Sequence, residues 1–144
     1  MSEPVAIDVV ESALHEARVN AEKRNEYWVA QFQSEDGRPP VSVMVLPDKS
    51  KEYVNIASPI RLTITPAEMS QPVLLDLLRI STFISLAKME MAEINGKLWF
   101  AATSECAYEG LNGRKLRRRM EACAELVRQL RTALAAKGLL RASS

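Results

Sequence analysis

The residues of this chain best suited to chemistry are one histidine and two cysteines. His15 is the only histidine, and Cys106 and Cys123 are the only cysteines. A histidine without a second His or Cys at metal-ligand spacing does not indicate a zinc site, and no local pattern joins a cysteine to a histidine as nucleophile and base. Asp8 and Glu11 stand near His15 on a predicted helix, but any acidic helix offers such a pair by chance. We therefore predict no catalytic residue, no metal and no cofactor, and keep a small enzyme using Cys106 or His15 as an alternative.

The glycines and the cysteine spacing exclude two further kinds of motif. The chain has only five glycines, and none of them forms the GxGxxG or GxxxxGK pattern of a phosphate-binding loop. The two cysteines lack the CxxC spacing of a redox or metal motif. They are expected to be small buried hydrophobic residues with reduced thiols, as in a cytoplasmic protein.

The densest charge in the chain is the segment GRKLRRRM at positions 113–120, in which five of the six residues from 114 to 119 are cations. On a helix most of these cations lie away from the apolar side, and Glu121 follows Arg117 at the spacing of an intrahelical ion pair. The pattern is typical of a solvated, salt-bridged helix face. Nucleic-acid binding is the alternative, disfavoured because no aromatic residue interleaves the cations. Its candidate residues are Arg114, Lys115, Arg117 and Arg118.

The composition is that of an ordinary globular protein. The 144 residues include 19 Lys or Arg and 18 Asp or Glu, so the net charge of +1 produces no bulk attraction to polyanions. Hydrophobic residues make up 47% of the chain, and we predict a single domain over residues 1–144. The acidic N-terminal sequence lacks the features of a signal peptide, and no apolar run reaches the length of a membrane span. We therefore expect a cytoplasmic protein with no membrane partner.

The first half of the chain predicts a helix followed by three strands. A helix over residues 4–24 would have Ser2 as its N-cap and Pro4 in its first turn. Three segments rich in aromatic and β-branched residues then follow between polar turns. They cover residues 27–32, 41–46 and 53–57, with a possible continuation over 60–64 beyond Pro59. The simplest arrangement of these strands is an antiparallel meander.

The segment PVLLDLL predicts a second helix that begins at Pro72. Its leucines cover more than one stripe of the helix surface. An apolar face this wide is expected to be covered on two sides, by the sheet of its own chain and by something else.

The segment MEMAEINGKLWF, residues 89–100, predicts a tight hairpin. Asn-Gly is the preferred two-residue turn because both central residues need positive φ. This turn would place Ile94 opposite Lys97, Glu93 opposite Leu98, and Met91 opposite Phe100. The predicted core face carries Met89, Met91, Leu98, Phe100 and Ala102, and the other face carries Lys88, Glu90, Ala92, Ile94, Trp99 and Ala101.

The longest predicted helix covers residues 113–137 and ends at Gly138. Its apolar residues recur at intervals of three and four, which defines one buried side. They are Leu116, Met120, Cys123, Val127, Leu130 and Leu134. The complete order is α-β-β-β-α-β-β-α, which predicts an α+β fold with an antiparallel five-stranded sheet and helices packed on it.

Two of the predicted elements leave apolar surface that a monomer would not bury. The second helix is apolar over more than one stripe, and the outer face of the hairpin carries a tryptophan. A twofold interface would bury the same patch on both copies. We therefore predict a homodimer, with protein-contact residues Leu75, Leu78, Ile94 and Trp99.

The element order resembles the type III secretion chaperone-like fold in its YbjN-like branch. The resemblance is carried by LTITPAEMSQPVLLDLLRISTFISLAKMEMAEINGKLWFAATSECAYEGLNGRKLRRRMEACAELVRQLRTAL, from Leu62 onward. In that family a strand leads into a leucine-rich helix, then into a tight strand pair, a short loop and a long closing helix. These parts correspond here to Leu74–Phe83, Met89–Ala102, residues 109–112 and the chain from Arg114.

This resemblance implies a function as well as a fold. The secretion chaperones are small cytosolic homodimers that hold an unfolded protein segment against apolar patches and perform no chemistry, and some YbjN-like proteins have been linked to regulation. The implied function is a non-enzymatic protein-binding module, chaperone-like or regulatory. Its partners would be a second copy of the chain and an unidentified protein or peptide client.

Overall fold

The computed structural model describes residues 5–34, 37–50 and 52–140, with the backbone alone for residues 5–8. The helices are α1 (Val5–Glu16), α2 (Gln71–Ser81) and α3 (Gly113–Ala136). The strands are β1 (Ala21–Arg24), β2 (Tyr27–Phe32), β3 (Val41–Pro47), β4 (Tyr53–Arg61), β5 (Lys88–Ile94) and β6 (Lys97–Ala107). All six strands form one antiparallel sheet in the order β1-β2-β3-β4-β6-β5, so the α+β class is confirmed.

The predicted strand number was wrong, because the sheet has six strands and not five. The extra strand, β1, comes from the second half of the helix predicted over residues 4–24. Helix α1 ends at Glu16, and the chain turns at Arg18, which has a φ of 59°. A tight turn at Asn25 then pairs β1 with β2. Alanines gave this segment its helical period, and their small side chains bury little surface in a helix. The hydrogen bonds of the sheet therefore determine its structure. The predicted N-cap Ser2 and Pro4 lie outside the described residues.

Strand β4 runs through Pro59 without a break, so the possible continuation beyond Pro59 does form, but it ends at Arg61 and not at residue 64. The paired residues of β3 and β4 end at Ala57, while the pairing of β4 with β6 continues past Pro59 to Arg61. At Pro59 the strand therefore has a ladder partner on one side only, the edge-like setting in which a strand tolerates proline.

The hairpin of β5 and β6 has the predicted register. Ile94 pairs with Lys97, and Met91 pairs with Phe100. The turn residues Asn95 and Gly96 have φ values of 52° and 79°, as a type I′ turn requires. The prediction that Met91 lies in the core was wrong, since 49% of its surface is exposed. It belongs to β5, the last strand of the sheet, and few atoms of the helices reach that strand.

The three helices pack on one face of the sheet and enclose the core. The apolar residues predicted to form the buried side of α3 are all fully buried, as are Phe100 and Ala102 of β6. Helix α1 lies against α3, and α2 lies between α3 and β5. Gly138, with a φ of 74°, ends the last helix where the sequence predicted. The core therefore forms between the inner face of the sheet and the long closing helix.

Helix α2 begins at Gln71, with Pro72 in its first turn. The side chain of Ser70 caps it by accepting a hydrogen bond from the N–H of Val73 at 3.4 Å. Leu77 is its only fully buried residue. The carboxylate of Asp76 accepts a hydrogen bond from Nζ of Lys137 at 3.0 Å, which ties α2 to the end of α3. This position leaves the opposite side of the helix in solvent.

Candidate functional site

All the large apolar side chains that are exposed in the described part of the chain lie between residues 75 and 94. This segment contains α2, the connection that follows it, and β5. Its exposed members are Leu75 (49%), Leu78 (42%), Phe83 (77%), Leu86 (37%), Met91 (49%) and Ile94 (47%). Scattered apolar residues on a surface need no explanation, but so many in one segment single it out as a candidate for contacts with a partner.

The second candidate surface is the face of the sheet opposite the helices, here called the open face. Its side chains alternate with the buried ones along each strand, and none of them is buried. Much of the face is apolar, with Trp99 beside Ala92 of β5 and Met44 beside Ala57 of β4. The described helices all pack on the other face. The open face is thus a broad, partly apolar surface that no described helix covers.

The structure divides the four predicted contact residues between these two surfaces. Leu75 and Leu78 lie on α2, on the helix-covered side of the sheet, whereas Ile94 and Trp99 lie on the open face. Both pairs are near the β5 edge, but they do not form one patch. Met91, which pairs with buried Phe100, is exposed on the helix side, and Phe83 is exposed in the connection after α2; the sequence prediction named neither as a contact residue. A sequence prediction that included the C-terminal end of α2 would have indicated that Phe83 is exposed, because this residue follows the end of the helix.

The outer side of β5 is an unpaired strand edge. The type I′ turn is closed by Ile94 and Lys97, which are hydrogen-bonded to each other. From that pair onward, hydrogen-bonded and non-hydrogen-bonded pairs alternate along the hairpin. The backbone groups of Met89, Met91 and Glu93 therefore point away from β6. An exposed row of this kind is a template for pairing with another strand.

The histidine and the two cysteines differ in their exposure to solvent. His15 is exposed at the end of α1, whereas Cys106 on β6 and Cys123 on α3 are buried. Burial raises the pKa of the Cys123 thiol to about 12. Burial also raises the pKa of Cys106, against the opposing effect of Arg119 and Lys115. Neither thiol is activated as a nucleophile at neutral pH. Within the described ranges, no group of three His, Cys, Asp or Glu side chains could hold a metal ion.

The basic run forms only part of the predicted salt-bridge pattern. Arg117 contacts Glu121 at 2.9 Å, as predicted, and Arg128 contacts Glu125 at 3.1 Å farther along the helix. Glu121 forms no ion pair with Arg118. The four cations at positions 114, 115, 118 and 119 have no salt bridge to any carboxylate of the described residues. The start of α3 is therefore more strongly positive than the sequence pattern predicted.

The comparisons with known proteins identify a fold. No protein-family model and no curated protein matches the chain. YbjN from E. coli, a proposed transcription regulator, is 12% identical over 94% of this chain and 95% of its own, with a TM-score of 0.65. A chain of the HopA1–SchA chaperone–effector complex is 13% identical over 92% and 99%, with a TM-score of 0.60. A chain of the heterodimeric ExoU–SpcU complex from the type III secretion system of Pseudomonas aeruginosa is 18% identical over 86% and 96%, with a TM-score of 0.54.

These similarities confirm the predicted resemblance at the level of the fold. The matched regions cover nearly the whole of each chain, so the order of helices and strands is shared from end to end. The chain thus has the fold of YbjN and of the type III secretion chaperones.

Among the described residues, no helix is long and apolar enough to cross a membrane.

Proposed function

We propose that this chain is a non-enzymatic protein-binding module, chaperone-like or regulatory, that acts as a cytoplasmic homodimer of one domain per copy. The observation that carries the proposal is the concentration of exposed apolar side chains between residues 75 and 94. Two of the structures with the same fold are complexes of a chaperone or secretion protein with a partner, and a third is a proposed regulator. Binding without chemistry agrees with the two buried thiols of raised pKa.

The homodimer would form along the free edge of β5 on the helix side. An antiparallel pairing centred on Met91 places Met91 of the two copies side by side, with Met89 opposite Glu93. All these residues direct their backbone groups outward, so the two strands can exchange hydrogen bonds. Leu75 and Leu78 of α2, exposed on the same side of the sheet, would extend the contact. On the order of 800 Å² buried on each copy is enough for a stable pair.

The client would bind to the open face of the sheet around Ile94 and Trp99. Trp99 is half-buried between Ala92 and Arg61 on its two neighbouring strands, so its ring is held in place and still accessible. A fixed aromatic group offers a large contact area with little loss of conformational entropy. An extended apolar peptide segment is the partner that suits this flat surface.

Two matched variants test the separation of the two surfaces. Sedimentation at micromolar concentration should show a dimer for the unchanged chain and for Trp99→Asp, and a monomer for Leu75→Asp/Leu78→Asp. In affinity capture from the native host the outcome should be reversed. Trp99→Asp should fail to retain a protein that binds the unchanged chain, and Leu75→Asp/Leu78→Asp should retain it. A monomer of 16.1 kDa for the unchanged chain would refute the dimer. Capture that survives both Trp99→Asp and Ile94→Asp would refute the client site.

A further inference from the structure

A second kind of site lies at the end of β6 farthest from the hairpin turn. A cavity of about 380 Å³ opens there between the strand end, the connection before β5, and the first two turns of α3. Cys106 and Leu86 form its apolar part. Its charged lining consists of Lys115, Arg118, Arg119 and Glu109. Three cations and one carboxylate give the lining a net charge of +2.

The cations of this cavity form no salt bridge with a carboxylate of the described residues. Nζ of Lys115 donates a hydrogen bond to the carbonyl oxygen of Gly110 at 3.3 Å. Nη1 of Arg119 donates one to Oγ of Ser104 at 3.4 Å. Both acceptors are uncharged, and Arg118 forms no salt bridge with a described carboxylate. The positive charge is therefore available to a ligand.

The three cations converge on the cavity because of their spacing on α3. Residues 115, 118 and 119 are separated by three and four positions, so they share one side of the helix. The thiol of Cys106 lines the same cavity as Lys115 and Arg119. Burial raises its pKa, the charges of Arg119 and Lys115 act to lower it, and the carboxylate of Glu105 acts to raise it.

The N-terminal backbone of α3 is not what makes this site. The N–H of Gly113 is bound by Glu16, and the N–H of Lys115 is bound by Oδ1 of Asn112. The N–H of Leu116 is bound by the carbonyl oxygen of Asn112. These donors are already occupied, so an anion would be held by the side chains.

We propose that this cavity binds the phosphate group of a small molecule. A phosphate dianion matches the net charge of +2, and the guanidinium groups of Arg118 and Arg119 suit two-pronged contact with phosphate oxygens. The volume exceeds that of one phosphate group, and it lies in the range of small-molecule pockets. The apolar wall of Cys106 and Leu86 would contact the part of the ligand next to the phosphate. Apart from Leu86, the site uses none of the residues proposed to contact a second copy or a client.

Pyrophosphate and inorganic phosphate are the probes for a calorimetric titration of the full chain at about 150 mM chloride, where non-specific surface attraction is screened. We expect saturable binding of one ion per chain. Arg118→Ala should weaken the binding of pyrophosphate at least tenfold, about the effect of losing one charge-assisted hydrogen bond. The matched control is Arg114→Ala, which removes an exposed arginine of the same helix that does not line the cavity. Its affinity should stay within about twofold.

Three results would overturn the proposal. The first is a lack of saturation up to about 10 mM pyrophosphate. The second is an equal loss of affinity in Arg118→Ala and Arg114→Ala, which would show general surface attraction. The third is tighter binding of a single-stranded oligonucleotide without terminal phosphates than of pyrophosphate, which would assign the cations to nucleic-acid binding. Both arginines are exposed, and thermal unfolding of each variant checks that the fold is intact.

Discussion

The carboxylate of Glu16, at the end of α1, accepts a hydrogen bond of 2.7 Å from the N–H of Gly113, the first residue of α3. The two helix ends are also in close backbone contact. A Cβ atom at Gly113 would lie 2.6 Å from the backbone nitrogen of Ala17. Since α1 and α3 meet at this point, the contact determines where the basic first turns of α3 lie. Nη1 of Arg117 adds a hydrogen bond of 3.1 Å to the carbonyl oxygen of Ala17.

Replacing Gly113 with alanine should destabilise the protein, although alanine is the better helix former. Helix propensity alone favours the change by about 1 kcal/mol. The added Cβ would meet backbone atoms that cannot move aside cheaply, and overpacking of this kind costs about 1–3 kcal/mol. Urea denaturation of Gly113→Ala should therefore show a lower free energy of unfolding. Arg114→Ala, at the next position, should change it by less than about 0.5 kcal/mol. An increase in stability for Gly113→Ala would contradict the close contact.

A proline at Met91 should separate the two copies and leave each one folded. Because the N–H of Met91 points away from β6, proline removes a donor that the monomer does not use. Because both copies carry the change, it would remove the two central hydrogen bonds that the Met91 residues exchange in the proposed β5 pairing. Sedimentation should show a dimer for Met91→Leu and at least tenfold weaker association for Met91→Pro. Circular dichroism checks that both variants are folded. A Met91→Pro dimer as stable as that of the unchanged chain would exclude β5 pairing.

The two thiols should react slowly with iodoacetamide, and Cys123 should be the slower one. Only the thiolate reacts, and a raised pKa keeps a thiol protonated until the pH approaches that value. For Cys123 this value is about 12. Cys106 lies at the floor of an open cavity near Arg119 and Lys115, which oppose the effect of burial on its pKa.

Mass spectrometry of labelling between about pH 7 and pH 9.5 measures both rates. The rate at Cys106 should rise with pH within this range. Lys115→Ala should slow it, because the pKa of Cys106 rises further when the nearby ammonium group is lost. Faster labelling of Cys123 than of Cys106 in the folded protein would contradict the described burial of the two thiols.

His15→Ala and Cys106→Ala should both retain dimer formation and client capture. His15 is exposed, and Cys106 is buried with a raised pKa, so neither is prepared for catalysis. The measurements are sedimentation and affinity capture from the native host, with Trp99→Asp as the variant expected to lose capture. Loss of cellular function in either alanine variant, with folding and dimer formation intact, would favour the enzyme alternative.

The hairpin shows how much of the fold and of the candidate site local sequence could predict. The Asn95-Gly96 turn determines the β5–β6 register, because few other residues adopt its two positive φ values. That register correctly places Trp99 and Ile94 on the face away from Phe100. It does not determine burial on the edge strand. Met91 is exposed because the way the helices pack on the sheet leaves β5 largely uncovered.

The sequence by itself determined the features that depend on neighbouring residues: the buried side of α3, the end of that helix at Gly138, the hairpin register, and an order of elements that resembles a known fold. The sequence analysis missed that Ala21–Arg24 form a sixth strand, because the turn at Asn25 and Glu26 that pairs it with β2 lacks the glycine of the Asn95-Gly96 turn. The separation of the four predicted contact residues onto two faces needed the tertiary structure. Only the tertiary structure brings the cations at the start of α3, which form no salt bridge with a described carboxylate, to the end of β6, where they line a cavity. Whether a charge is neutralised depends on the residues that the fold places beside it.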